Sequence, residues 1–121
     1  MSIKVQDSAT GQTNPVDVVL TSTATPACRL AITPSSFELR VTSGGVMVWS
    51  SRTCPNALPA REVVVRAHPP STYRFTWSGH LSNPGCRGLG KAAAPGGYWV
   101  EAALIGGNPQ RAYFDVTAAK S

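Results

Sequence analysis

Apolar and polar residues alternate along most of this chain. Phe37, Leu39 and Val41 interleave with Glu38, Arg40 and Thr42. Tyr73, Phe75 and Trp77 interleave with Thr72, Arg74 and Thr76, and Ala112, Phe114 and Val116 with Arg111, Tyr113 and Asp115. Tyr98, Val100, Ala102 and Leu104 share one parity, opposite Trp99, Glu101 and Ala103. A period of two sends successive side chains to opposite sheet faces, so each run predicts a half-buried strand. Further strands are expected over Val16 to Thr23, Arg29 to Ile32, Val46 to Ser50 and Glu62 to Ala67. No segment sustains a helical period. Lys91 to Ala94 could form one helical turn before Pro95-Gly96 stops it.

The punctuation agrees with this pattern. Gly44-Gly45 separates two strand runs as a two-residue hairpin turn would. Pro69-Pro70, Pro95-Gly96 and Gly106-Gly107-Asn108-Pro109 interrupt other pairs. About seven or eight short strands with alternating faces predict an all-β domain, an antiparallel β-sandwich, over residues 16–117. Residues 1–15 either add an edge strand with a turn at Gly11 or stay mobile. Residues 118–121 make a small, polar C-terminal tail.

Two half-motifs resemble each other. Val48-Trp49-Ser50-Ser51-Arg52-Thr53 leads to Cys54-Pro55, and Thr76-Trp77-Ser78-Gly79 leads to Asn83-Pro84-Gly85-Cys86. Each is a strand ending in Trp-Ser, then a polar loop, then a cysteine. Strands that end alike are expected to place their loops at one end of a sandwich, where a Cys54–Cys86 disulfide would tie them. Such a bridge closes about 31 residues, worth about 3–4 kcal/mol by loop entropy, and implies an oxidising compartment. Cys28 is left over: either a free buried thiol, or one whose partner lies outside this chain. Zinc-type Cys and His spacings are absent from the sequence, so no metal site is expected.

The net charge of +5 is either the basic balance of a soluble domain or a source of attraction to an anionic partner. Without a run of Lys or Arg, or an aromatic-rich basic strand, nucleic acid is not expected. The sequence has no apolar stretch of membrane-spanning length. Met1-Ser2-Ile3-Lys4 runs into polar sequence without the pattern of a signal peptide. Together with a disulfide, this predicts a domain excised from a membrane-anchored parent, with its leader or anchor upstream.

Candidate chemistry is sparse. Gly85-Cys86-Arg87-Gly88-Leu89-Gly90-Lys91 satisfies the spacing of a phosphate-binding loop. Ala92 then stands where Ser or Thr should ligate magnesium, and neither a preceding strand nor a following helix is predicted. His68 precedes Pro69-Pro70 and reads as an exposed turn residue; His80 has serines nearby but no acid in sequence. The six carboxylates, Asp7, Asp17, Glu38, Glu62, Glu101 and Asp115, are scattered, mostly at outward positions. No catalytic residue and no cofactor follow. Most of the aromatic residues read as core, whereas Trp99 and Tyr113 have the opposite parity and are either exposed or packed in a second layer. A carbohydrate platform would need exposed, coplanar rings. The stapled loops carry Arg52, His80, Arg87 and Lys91, a candidate basic binding surface.

The order of these motifs carries a resemblance. Leu39-Arg40-Val41-Thr42-Ser43-Gly44-Gly45 is followed by Val48-Trp49-Ser50-Ser51 with Cys54, then Tyr73-Arg74-Phe75-Thr76-Trp77-Ser78-Gly79 with Cys86, then Pro95-Gly96-Gly97-Tyr98-Trp99-Val100. Over roughly residues 16–117 this resembles the extracytoplasmic domains of actinobacterial single-pass envelope proteins. It is more distantly similar to the immunoglobulin-like fold of the intracellular proteinase inhibitor family from bacilli. The first resemblance implies an N-terminal membrane helix outside this chain, and an upstream cysteine as partner for Cys28, which this chain lacks. The second transfers no reactive-site residue. The expectation is an immunoglobulin-like antiparallel β-sandwich on the outer face of the plasma membrane. It would be a non-catalytic cell-envelope module binding an envelope protein or an anionic cell-wall component. The alternative is a proteinase inhibitor of related fold.

Overall fold

A computed structural model describes residues 1–21, 28–88 and 90–118. The alternating runs are strands throughout: β1 (Ser2–Val5), β2 (Ser8–Ala9), β3 (Asn14–Leu20), β4 (Cys28–Ile32), β5 (Phe37–Ser43), β6 (Val46–Ser50), β7 (Arg61–Val65), β8 (Ser71–Trp77), β9 (Gly96–Leu104) and β10 (Gln110–Thr117). The two beyond the seven or eight expected come from the first nine residues, where short runs pair with the longer strands. The only helical elements among the described residues are 3₁₀ turns at Pro55–Ala57 and Pro84–Cys86. The helical turn that Lys91 to Ala94 could have formed is absent: Ala92 is instead bridged to His80. The end of the strand expected to reach Thr23, and positions 119–121 of the tail, lie outside the described residues.

The strands form a three-stranded sheet, β1-β3-β8, a five-stranded sheet, β2-β10-β9-β5-β6, and a ribbon, β4-β7. Every pairing is antiparallel except the short parallel match of β2 to β10. The chain crosses from the first sheet to the second between Val5 and Ser8. The buried Asn14 fastens that crossing, its amide donating to the Gln6 carbonyl at 2.9 Å and the Ser8 hydroxyl at 3.3 Å. At the hairpin between β5 and β6, Gly44 and Gly45 take φ of 59° and 80°. A tight turn that follows the strand twist demands positive φ at both central residues, which glycine adopts without strain.

The two larger sheets pack face to face, and the apolar parity residues fill the space between them. Val16, Val18, Leu20, Tyr73, Phe75 and Trp77 from one sheet are buried against Leu39, Val41, Val100, Ala102, Phe114 and Val116 from the other. Aromatic contacts fix how the layers are aligned. Phe37, at the start of β5, meets Tyr73 at 5.6 Å, edge to face. Trp77, at the end of β8, meets Tyr98 and Phe114 at 6.1 and 6.0 Å. Trp49 stacks on Phe75 at 4.8 Å. Such pairs add about 0.5–1.5 kcal/mol each beyond the area they bury.

These contacts also set strand directions. β5 runs from the Phe37 end to the Gly44-Gly45 end, and β6 runs back. β8 starts opposite Phe37 and finishes beside Tyr98, at the Gly44-Gly45 end. The two Trp-Ser strands therefore finish at opposite ends of the molecule. This corrects the expectation that their loops leave the same end.

Candidate functional site

Cys54 and Cys86 are nonetheless joined, with Cα atoms 5.3 Å apart. The bridge forms because the segment after β8 doubles back along β6. The Ser82 amide donates to the Val48 carbonyl at 3.1 Å, on the edge of β6 away from β5. The segment is braced against its own return: Leu81 N–H to Lys91 O at 2.8 Å, Gly90 N–H to Leu81 O at 3.1 Å, and Ala93 N–H to Gly79 O at 2.9 Å. It thereby covers a sheet edge that would otherwise present unpaired backbone groups. The matching Trp-Ser pairs do share a local role. The Ser50 hydroxyl accepts from the Arg52 amide at 3.1 Å, and the Ser78 hydroxyl from the His80 amide at 3.3 Å. Each serine starts its turn by bonding the amide two residues on.

The four basic loop residues fall in different surroundings. His80 and Lys91 lie on facing runs of that braced segment. His80 is half-buried, with its ring Nδ1 3.0 Å from the Ser78 carbonyl. Arg87 is exposed just beyond Cys86. Arg52 bonds Glu38 at 2.8 Å and borders a depression of about 260 Å³ that also involves Ser35, Phe37 and Ile105. A second cleft, of about 150 Å³, lies between the disulfide and the core rings Trp49 and Phe75, and its lining is mainly apolar. The phosphate-loop spacing at Gly85 to Lys91 opens from a 3₁₀ turn rather than a strand; its Leu89 lies outside the described residues. Cys28 is exposed, which corrects the reading of a buried thiol.

Four of the six carboxylates, Asp17, Glu38, Glu62 and Glu101, serve ion pairs. Asp17 pairs with Arg74 at 2.6 Å, Glu62 with Arg29 at 3.5 Å, and Glu101 with both Arg40 and Arg111. The hydrogen bond from Arg74 holds the Asp17 carboxyl below its ordinary value. Among the described residues no three His, Cys, Asp or Glu side chains gather as a metal cage would require.

The outward face of the five-stranded sheet is different in kind. Trp99 and Tyr113 are exposed at 37% and 52%, while the other aromatic residues are buried in the core. Register places them in one row across the sheet: Tyr113 opposite Trp99, Trp99 opposite Thr42, and Thr42 opposite Met47, itself 50% exposed. Met47 reaches this row because the ladder shifts register between Val41 and Thr42. The rings meet edge to face at 5.3 Å and 72°, so the exposed aromatics are not the coplanar platform that sugar stacking on both would need.

Charged side chains flank the row. On one side the Arg111 guanidinium lies over the Trp99 ring, 4.3 Å from its centroid, and approaches Glu101 at 3.7 Å; Arg40 holds Glu101 from the next strand. On the other side the Tyr113 hydroxyl donates to Asp115 at 2.7 Å, and Asp7 accepts from the Asp115 amide at 2.8 Å. The hydrogen-bonded Asp115, aided by its charge and that of Asp7, pushes the Tyr113 phenol above its ordinary value. Tyr113 can lean along the sheet because Gly97 lies beneath it: a Cβ there would stand 2.2 Å from the hydroxyl oxygen.

Sequence parity singled out Trp99 and Tyr113 but not Met47 or Gly97. The first depends on a register shift and the second on a close approach, and neither has a local signature.

The fold and face define an all-β, disulfide-stapled protein with an exposed aromatic sheet surface. No protein-family profile and no curated protein matches the chain. Solved structures share its fold. A β-glucosidase, EmGH1, from Erythrobacter marinus superposes with a TM-score of 0.58 over 97% of this chain, at 12% identity. A β-glucosidase from Listeria innocua, in complex with glucose, gives 0.52 over 96%, at 11% identity. This chain spans only 15% and 16% of those two. At such identity the likeness concerns the fold alone.

Proposed function

We propose that this protein is a non-catalytic, extracytoplasmic cell-envelope module of immunoglobulin-like fold that binds a protein partner. The recognition surface is the outward face of the five-stranded sheet. The observation that carries this reading is the exposed row of Trp99, Tyr113 and Met47 beside Arg111 and Arg40. Trp, Tyr, Met and Arg are the residues over-represented where proteins meet, and Trp, Tyr and Arg supply most of the energy there. Their exposure in one row leaves apolar area that a partner can cover.

The immunoglobulin-like assignment draws on two features. One is the β10-β9-β5-β6 order opposite β1-β3-β8. The other is Tyr98, near the start of β9, whose hydroxyl donates to the Ala94 carbonyl at 2.6 Å, as the tyrosine corner of that fold does. The Cys54–Cys86 disulfide supports an oxidising compartment. Among the described residues no helix is long and apolar enough to cross a membrane.

A cross-linked pull-down from envelope extract tests the reading, with the oxidised protein as bait. Trp99→Ala/Tyr113→Ala should abolish capture, while changing Arg52, Arg87 and Lys91 to Glu should leave it intact. The reverse result would move recognition to the stapled loops. Capture unaffected by either set would remove the sheet face from consideration.

A further inference from the structure

We propose that the partner of this sheet face is a second copy of the same chain, related by a two-fold axis along the Met47–Thr42–Trp99–Tyr113 row. The proposal rests on the reading of that face as the recognition surface and names its occupant. Its basis is the sequence of outward side chains on β10. Arg111, Tyr113 and Asp115 follow one another at alternate positions, a cation, an aromatic ring and a carboxylate. Outward positions on one strand are about 6.8 Å apart. The backbone positions that carry the two opposite charges therefore stand at about equal distances on either side of the aromatic row.

A two-fold interface is self-complementary, because each residue meets the partner patch under the same operation. Rotation about an axis lying in the face and along the row reverses strand direction and keeps lateral position. It brings the two aromatic rows together and sets Arg111 of each copy over Asp115 of the other. Neighbouring charges reinforce the match. Arg40 joins Arg111 on one flank, where two arginines share the single carboxylate of Glu101. Asp7 joins Asp115 on the other. A uniformly anionic polymer would meet Asp7 and Asp115 beside the rings, and a cationic one would meet the arginines. A surface with a basic and an acidic flank fits another bearing the same pair in reverse, which is what this face presents to its own copy.

Four strands about 4.8 Å apart and about eight residues long offer a face of roughly 500 Å² per copy. That is at the small end of specific interfaces, so dissociation in the micromolar range is expected. Sedimentation velocity from low to high micromolar concentration should show a reversible monomer–dimer equilibrium. The measurements belong in a Cys28→Ser background, which removes the exposed thiol as a cross-linker. Arg111→Asp and Asp115→Arg should each weaken self-association about tenfold or more, since each variant opposes like charges. An equimolar mixture should recover dimer, because both crossed pairs become Asp against Arg. Both side chains are exposed, and thermal melting will confirm that the variants fold.

A wild-type protein that stays monomeric throughout, a dimer indifferent to both reversals, or a mixture that does not recover would overturn the proposal. A monomer that still needs Trp99 and Tyr113 to capture an envelope protein would overturn the second copy and leave the recognition face standing. A monomer whose captures ignore those residues would remove both.

Discussion

At the scale of single residues, Gly97 and Tyr113 form one unit. The Tyr113 hydroxyl passes over Gly97 to reach Asp115, and a Cβ at Gly97 would occupy its place. Gly97→Ala is expected to displace the ring and break the bond to Asp115. The Tyr113 phenol should then fall back toward its ordinary value near 10. Ultraviolet titration of the variant, with Tyr113→Phe to assign the signal, checks this; an unchanged profile would mean the ring does not rest on Gly97. Trp77 is the opposite case, a ring buried by Tyr98 and Phe114. Trp77→Ala is expected to cost about 3–5 kcal/mol in denaturant unfolding through loss of packing and the cavity left behind. Parity separated these two kinds of aromatic residue in the sequence, because the face a side chain takes on a strand is local. The Gly97 contact was not legible, since it joins residues sixteen positions apart through register.

At the scale of elements, the segment from Ser78 to Pro95 matters most. It leaves β8 at one end of the sheets, returns beside β6 and is pinned there by the disulfide. The bridge joins residues 32 apart. Reducing it, or replacing both cysteines with Ala, is expected to lower stability by about 3–4 kcal/mol through the larger entropy of the open unfolded chain. Thermal unfolding with and without reductant measures this. Hydrogen exchange resolves where the loss begins: the Leu81 and Ser82 amides should exchange faster, while β3 and β8 keep their protection. Equal loosening everywhere would mean that the segment is not a separate unit. The cysteine pairing was readable from two loops of similar grammar. The route was not, because the same Trp-Ser ending serves a strand running in either direction.

At the scale of the whole molecule, tyrosine burial shapes the response to alkali. Tyr73 lies in the core with its hydroxyl donating to the Pro59 carbonyl at 2.6 Å. Burial pushes its phenol up to about 12. A phenol raised above its unfolded value contributes stability that is full below about 10 and is lost as pH climbs through 12. The expected loss is on the order of 2 kcal/mol. Denaturant unfolding between pH 9 and 12 should show the decline, and Tyr73→Phe should flatten part of it; an unchanged slope would place the alkaline sensitivity elsewhere. The all-β class, the buried and exposed parities, the glycine hairpin and the candidate staple were determined by the sequence itself. All are consequences of neighbours along the chain: a period of two, two glycines together, two cysteines after similar turns. Only the tertiary structure decided which way each strand runs, how the loop reaches its disulfide, and which side chains line up across the outward face. An alternating run reads the same in both directions, so periodicity settles what is buried but not what lies beside it. Those neighbours are chosen by packing between distant segments, where Tyr98, Trp77 and Phe114 meet in one core and Arg111, Tyr113 and Trp99 share one surface.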